Sequence, residues 1–153
     1  MKEGMIVVCT FFGHSDCYVL DANVLRSAVE ELIHKGVDTF YVGNQGHFDG
    51  MVFAALLELE KIYPNISISV VLAYLPTKKA GCDPYQGYSV YPEGIEMGPG
   101  RFAIERRNQW VIERAKGGYC LCLIDHTWGG AYKFVKRAKS RGLIVKNLGT
   151  AEI

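Results

Sequence analysis

The chain has 153 residues and a mass of 17.0 kDa, with 49% apolar and 22% charged residues, the length and balance of one soluble globular domain. Seventeen basic side chains against 16 acidic ones leave a formal net charge of +1, which argues against a chain built mainly to bind nucleic acid. No run of about 18 uncharged apolar residues occurs, and "MKEG" leads straight into a strand-like segment with no cleavable-signal pattern. No membrane partner is therefore expected, and the expected address is cytoplasmic.

The elements alternate along the chain. "MIVVCTFF" (5–12) is a near-continuous apolar run, as expected of a strand covered on both faces. "DANVLRSAVEELIHKG" follows, with Val24, Leu25, Ala28, Val29, Leu32 and Ile33 on one stripe, Asp21 as N-cap and Gly36 as stop. "DTFYV" (38–42) is the second strand, and "DGMVFAALLELEKIYP" the second helix, with Asp49 placed as its N-cap and Pro64 beyond its end. "SISVVLAYL" (67–75) is the third strand. Residues 76–100 then hold four of the five prolines, five glycines and three tyrosines without a sustained period. A connection this long inside one domain reads as a lid over a binding site. "GRFAIERRNQWVIERAKGG", "YCLCLID" (119–125), "GGAYKFVKRAKSRG" and "LIVKNL" (143–148) complete the order.

This alternation specifies an α/β fold: a single Rossmann-like three-layer sandwich over 1–153, with about five mostly parallel strands and helices on both faces. Five cysteines without a CxxC pair, three of them in apolar runs (Cys9, Cys120, Cys122), read as small hydrophobes rather than disulfide partners. The basic residues Lys133, Lys136, Arg137, Lys139, Arg141 and Lys146 fit either a solvated helix face or an anion patch.

In open parallel sheets ligands bind beyond the carboxyl ends of the strands. The strand ends here carry Gly13, His14, Ser15 and Asp16, then Gly43, Asn44, Gln45, Gly46 and His47, and finally His126, Thr127, Trp128, Gly129 and Gly130. Turns need glycine, but they do not need histidine and amide side chains at three separate strand ends. Crossover helices begin at the same edge, and their unpaired N–H groups favour phosphate or carboxylate. Arg101, Arg106 and Arg107 fall in the first turns of the third helix. There a guanidinium could grip phosphate, or could pair with Glu93, Glu96 or Glu105. Asn108 shares the apolar face of Ile104, Val111 and Ala115 and needs partners there. With no GxGxxG after the first strand and no GxxxxGK[ST], neither a standard NAD site nor a P-loop is indicated, and no cofactor is expected. His14, Asp16, His47 and His126 include metal-ligating types without a diagnostic spacing.

"CTFFGHSD", "FYVGNQGHFDGM", "IERRNQW" and "DHTWGGA", in this order and spacing, resemble the SLOG superfamily of Rossmannoid domains. That group includes the Lonely guy phosphoribohydrolases and the Smf-type DNA-processing proteins, and the chain is most similar to its small single-domain bacterial members. The resemblance sets Arg106 against the family's catalytic arginine and Arg107 against its lysine. Where the family's glycine motif carries its catalytic glutamate, this chain has Lys136, or Tyr132 and Lys133. The resemblance thus implies a domain that binds a nucleotide or nucleotide-derived ligand, of nucleoside monophosphate or ADP-ribose type, as sensor or adaptor. The alternative is an N-glycosidic hydrolase or transferase in which Asp16 or Glu93 supplies the acid and Arg106 anchors phosphate. Related enzymes are often dimers, so a homodimer accords with the resemblance.

Overall fold

The computed structural model describes residues 6–14, 20–74, 85, 87–92 and 100–153. Strand β1 (Val8–Gly13) leads to helix α1 (Ala22–His34), β2 (Thr39–Val42), α2 (Gly46–Ile62) and β3 (Ser67–Val71). A two-residue strand β4 (Ser89–Val90) and a 3₁₀ turn (Gly100–Phe102) precede α3 (Ala103–Arg114), β5 (Tyr119–Leu123), α4 (Gly130–Ser140) and β6 (Ile144–Asn147). The six strands form one sheet in the order β4-β3-β2-β1-β5-β6, and every pairing is parallel. Each of the five expected strands is present, and β4 is additional.

The layers follow from side-chain alternation. Cys9 and Phe11 of β1 and Leu121 and Leu123 of β5 pack with α1 and α2, through residues such as Val29, Leu32, Val52 and Leu56. The opposite parity, Val8 and Phe12 with Cys120 and Cys122, packs on α3 and α4 through Val111, Ile112, Phe134 and Val135. Burying both faces is what makes these strands read as unbroken apolar runs. Cys9, Cys120 and Cys122 are free thiols inside this core, and burial pushes the Cys9 thiol far above its usual range.

Helix α1 starts as expected, with the Asp21 carboxylate accepting the Asn23 N–H at 2.7 Å. Val24, however, is 50% exposed, because it lies at the margin of the stripe beside Leu25. Helix α2 begins at Gly46 with Gln45 as N-cap, so Asp49 is not the cap. Instead it sits inside the first turn and reaches back to accept the N–H of the N-cap residue Gln45 at 2.9 Å, satisfying one of the helix's free donors. The segment 76–100, expected to be structureless, carries β4, which extends the sheet on the β3 side through Val70 N–H to Tyr88 O and Leu72 N–H to Val90 O. Tyr85 and Tyr88 meet the Phe53 ring edge-on at 5.3 and 5.6 Å, and the Tyr88 hydroxyl donates to Glu60. No described residue of 85–92 lines the crevice that the lid was expected to cover. The rest of the expected lid lies outside the described residues.

The basic side chains near the C-terminus sit on partners. Lys133 meets Glu105 at 3.2 Å, Arg141 meets Glu113 at 3.2 Å and Lys146 meets Glu31 at 3.3 Å, while Arg137 donates to Gln109 at 2.7 Å. They dock α4 and β6 onto neighbouring elements, and at their exposure each contributes little to stability. Among the described residues, no helix is long and apolar enough to cross a membrane.

Candidate functional site

The chain leaves β1 in one direction for β2 and β3, then returns to pair β5 on the other side of β1. That reversal is the switch point at which an open parallel sheet offers a crevice. A cleft of about 500 Å³ lies there. Its floor is the end of β1, from Thr10 to His14, and the glycine turn after β2. The first turn of α2 and the loop from His126 to Ala131 form its rims, and one face of α3 closes it.

Residues far apart in sequence form the polar part. Arg107 and Asn108 are 5% and 6% exposed, although both stand on a helix. The Arg107 Nε–H donates to Asn108 Oδ1 at 2.8 Å, and its Nη1 donates to the Val71 carbonyl at 3.3 Å. Asp49 reaches the same place from α2. A Cβ on Gly43 would stand 2.8 Å from Arg107 Nη1 and 2.8 Å from Asp49 Oδ2, so the absent side chain of Gly43 is the space that this acid and base share. Burial raises the Asp49 carboxyl to about 6; the Gln45 N–H and the Arg107 charge only partly oppose that rise. Burial likewise lowers the Arg107 pKa, against the attraction of Asp49. Asp49 from α2 and Arg107 from α3 thus approach Gly43 from the two helical layers.

On the other rim three rings stack. His14 and His126 lie with centroids 3.6 Å apart and planes 15° apart, and His126 and Trp128 lie 3.9 Å and 19° apart. Two parallel rings this close cannot share one face of His126, so the imidazole is sandwiched between His14 and the indole. His14 Nε2 is 3.1 Å from the His126 carbonyl oxygen, which can only accept, so that nitrogen carries a proton. The loop behind the stack is held from β6: Asn147 accepts the Ile124 N–H and donates to the Ile124 carbonyl, both at 2.9 Å. The Asp125 carboxylate accepts the Thr150 N–H at 2.9 Å.

The start of α4 opens into this space. Gly129 is its N-cap, with φ +94°, a conformation open to glycine at little cost. The Lys133 N–H is the first to bond back into the helix, to the Gly129 carbonyl. The N–H groups of Gly130, Ala131 and Tyr132 therefore have no helical acceptor. The first turn of α4 contains no acid, whereas that of α2 contains Asp49.

Of the residues selected from sequence, Gly13, His14, Gly43, Gln45, Gly46, Arg107, Asn108, His126, Trp128, Gly129 and Gly130 all line the cleft. Asn44, His47, Thr127 and Arg106 neighbour it without lining it. Ser15, Asp16 and Glu93 lie outside the described residues. Asp49 is the addition that sequence reasoning assigned to a cap. His14 and His126 stack with planes 15° apart, and His14 Nε2 is turned to the His126 carbonyl oxygen rather than to a shared metal position. Among the described residues no group of three or more His, Cys, Asp or Glu could hold a metal ion. A scan against protein-family models and a search of curated proteins return no match.

Proposed function

We propose that the cleft binds a nucleotide or nucleotide-derived ligand, with its phosphate on the backbone N–H groups at the start of α4 and its sugar toward Asp49, Arg107 and Asn108. The observation that carries this reading is the α4 start itself: acid-free, opened by Gly129 and facing a switch-point cleft. An anion is better placed there than at α2, where the Asp49 carboxylate already satisfies the Gln45 N–H. A sugar hydroxyl can instead donate to Asp49 and accept from Arg107. The SLOG resemblance accords with this ligand class and with a sensor or adaptor role. Thermal shifts against nucleoside monophosphates, NAD, ADP-ribose and cyclic nucleotides test the reading. With free nucleosides run beside this panel, stabilisation by its phosphate-bearing members and not by the nucleosides is expected, and a panel without any stabilising member refutes it.

One observation favours N-glycosidic hydrolysis or transfer as a second reading. Asp49 is a buried carboxyl in the cleft, raised to about 6, and such a group can hold a proton for a leaving base near neutral pH. Chromatography of each thermal-shift hit distinguishes the two readings. Release of free base that is lost in Asp49→Asn supports the enzyme, and an intact ligand after hours supports the binder.

A further inference from the structure

We propose that the open face of Trp128 is the stacking platform for the base of a purine nucleotide, an inference that rests on the nucleotide reading above. Trp128 is 68% exposed, although a bicyclic aromatic side chain is costly to leave in water. It is nevertheless ordered by its neighbours: one indole face lies on His126 at 3.9 Å, and His126 in turn lies on the buried His14. The indole orientation is thus set by a stack rooted at the end of β1, and the face turned away from His126 is left open. That fixed ring lines the cleft and immediately precedes Gly129, so a planar group on the indole would sit next to the N–H groups that await an anion.

Chemistry narrows the occupant. A ligand matching both features carries a flat π system and a phosphate, as nucleotides do and sugar phosphates do not. Every base has a π face, so stacking alone is tolerant of sequence and ranks bases by stacking strength. A bicyclic purine overlaps an indole over a larger area than a pyrimidine does. Because the platform is already ordered, little side-chain entropy is lost on binding.

Calorimetric titrations of the full chain with AMP, CMP and ribose 5-phosphate test the proposal, using the native protein and the Trp128→Ala and Trp128→Phe variants, with circular dichroism and sedimentation as controls. AMP is expected to bind the native chain more tightly than CMP, and CMP more tightly than ribose 5-phosphate. Trp128→Ala should weaken AMP by about 5- to 160-fold, leave ribose 5-phosphate unchanged and keep the native fold. Trp128→Phe should recover part of the loss. Equal binding of AMP and ribose 5-phosphate overturns the stacking platform while leaving the phosphate site standing. So does a Trp128→Ala variant that keeps its AMP affinity, or one whose change is a shift in oligomeric state. If none of the three compounds binds the native chain, the nucleotide reading falls and the platform falls with it.

Discussion

Asp49 offers the sharpest physical test, because its burial fixes the sign of a pH effect. The carboxyl is raised from an ordinary 3.8 to about 6 in the folded chain, chiefly because burial disfavours its charge. Between those values the unfolded chain has released the proton and the folded chain keeps it. Unfolding therefore becomes easier as pH rises, by about 1.4 kcal/mol for each pH unit between them. Over the whole window this one group costs the fold about 3 kcal/mol, fully present above about pH 7 and nearly absent below about pH 4. Asp49→Asn removes the titration while keeping an oxygen for the Gln45 N–H. It also leaves the Arg107 charge without its neighbour, a penalty that does not vary across this pH range. Urea unfolding of both proteins from pH 4 to 8 isolates the effect as the stability of Asp49→Asn minus that of the native chain. This difference should climb by about 3 kcal/mol between pH 4 and 7 and then level off. A flat difference, or one that falls with pH, would refute the burial of this carboxyl and with it the polar half of the cleft.

Other outcomes follow from the same geometry. Gly43→Ala places a Cβ 2.8 Å from both Arg107 Nη1 and Asp49 Oδ2. It should cost about 1–3 kcal/mol, lowering the melting midpoint by roughly 2–12 °C in a scanning calorimeter. Asn147→Ala removes four short hydrogen bonds, two to Ile124 and one each to Gly149 and Ala151. A loss of about 2–4 kcal/mol is expected by urea unfolding. The ¹⁵N–¹H spectrum should show it concentrated around Ile124 to Gly130. Glu31→Gln breaks exposed contacts to Lys35 and Lys146 and should leave the midpoint unchanged.

The parts legible in the sequence are those with a repeating signal. Five buried strands announce themselves as apolar runs, and the α1 stripe and its Asp21 cap as helical spacing. Strand β4 has two residues, too few for any period, and it exists because β3 offers an open edge beside it. Asp49 carries a local signal, acid near a helix start, that matches a cap and its actual role equally well. Only the arrival of Arg107 from α3, 58 positions later, decides between them. Arg106 and Arg107 are equally legible as basic residues near a helix start, and the helical spacing separates them: Arg107, three residues after Ile104 and four before Val111, falls on the buried face, whereas Arg106 does not line the cleft. The ring stack had no local signal at all. His14 and His126 are 112 positions apart, and the parallel pairing of β1 with β5 is what brings them together.

The most direct test of the central claim is a ¹⁵N–¹H titration of the native chain with AMP. Saturable shifts are expected at the backbone amides of Gly13, Gly46, Gly129 and Gly130 and at the Trp128 indole N–H. The amides of Ile144 to Lys146 on the far edge strand should stay still. Absence of any shift at millimolar AMP, or shifts confined to residues away from the β1 and β5 ends, would contradict ligand binding at this cleft.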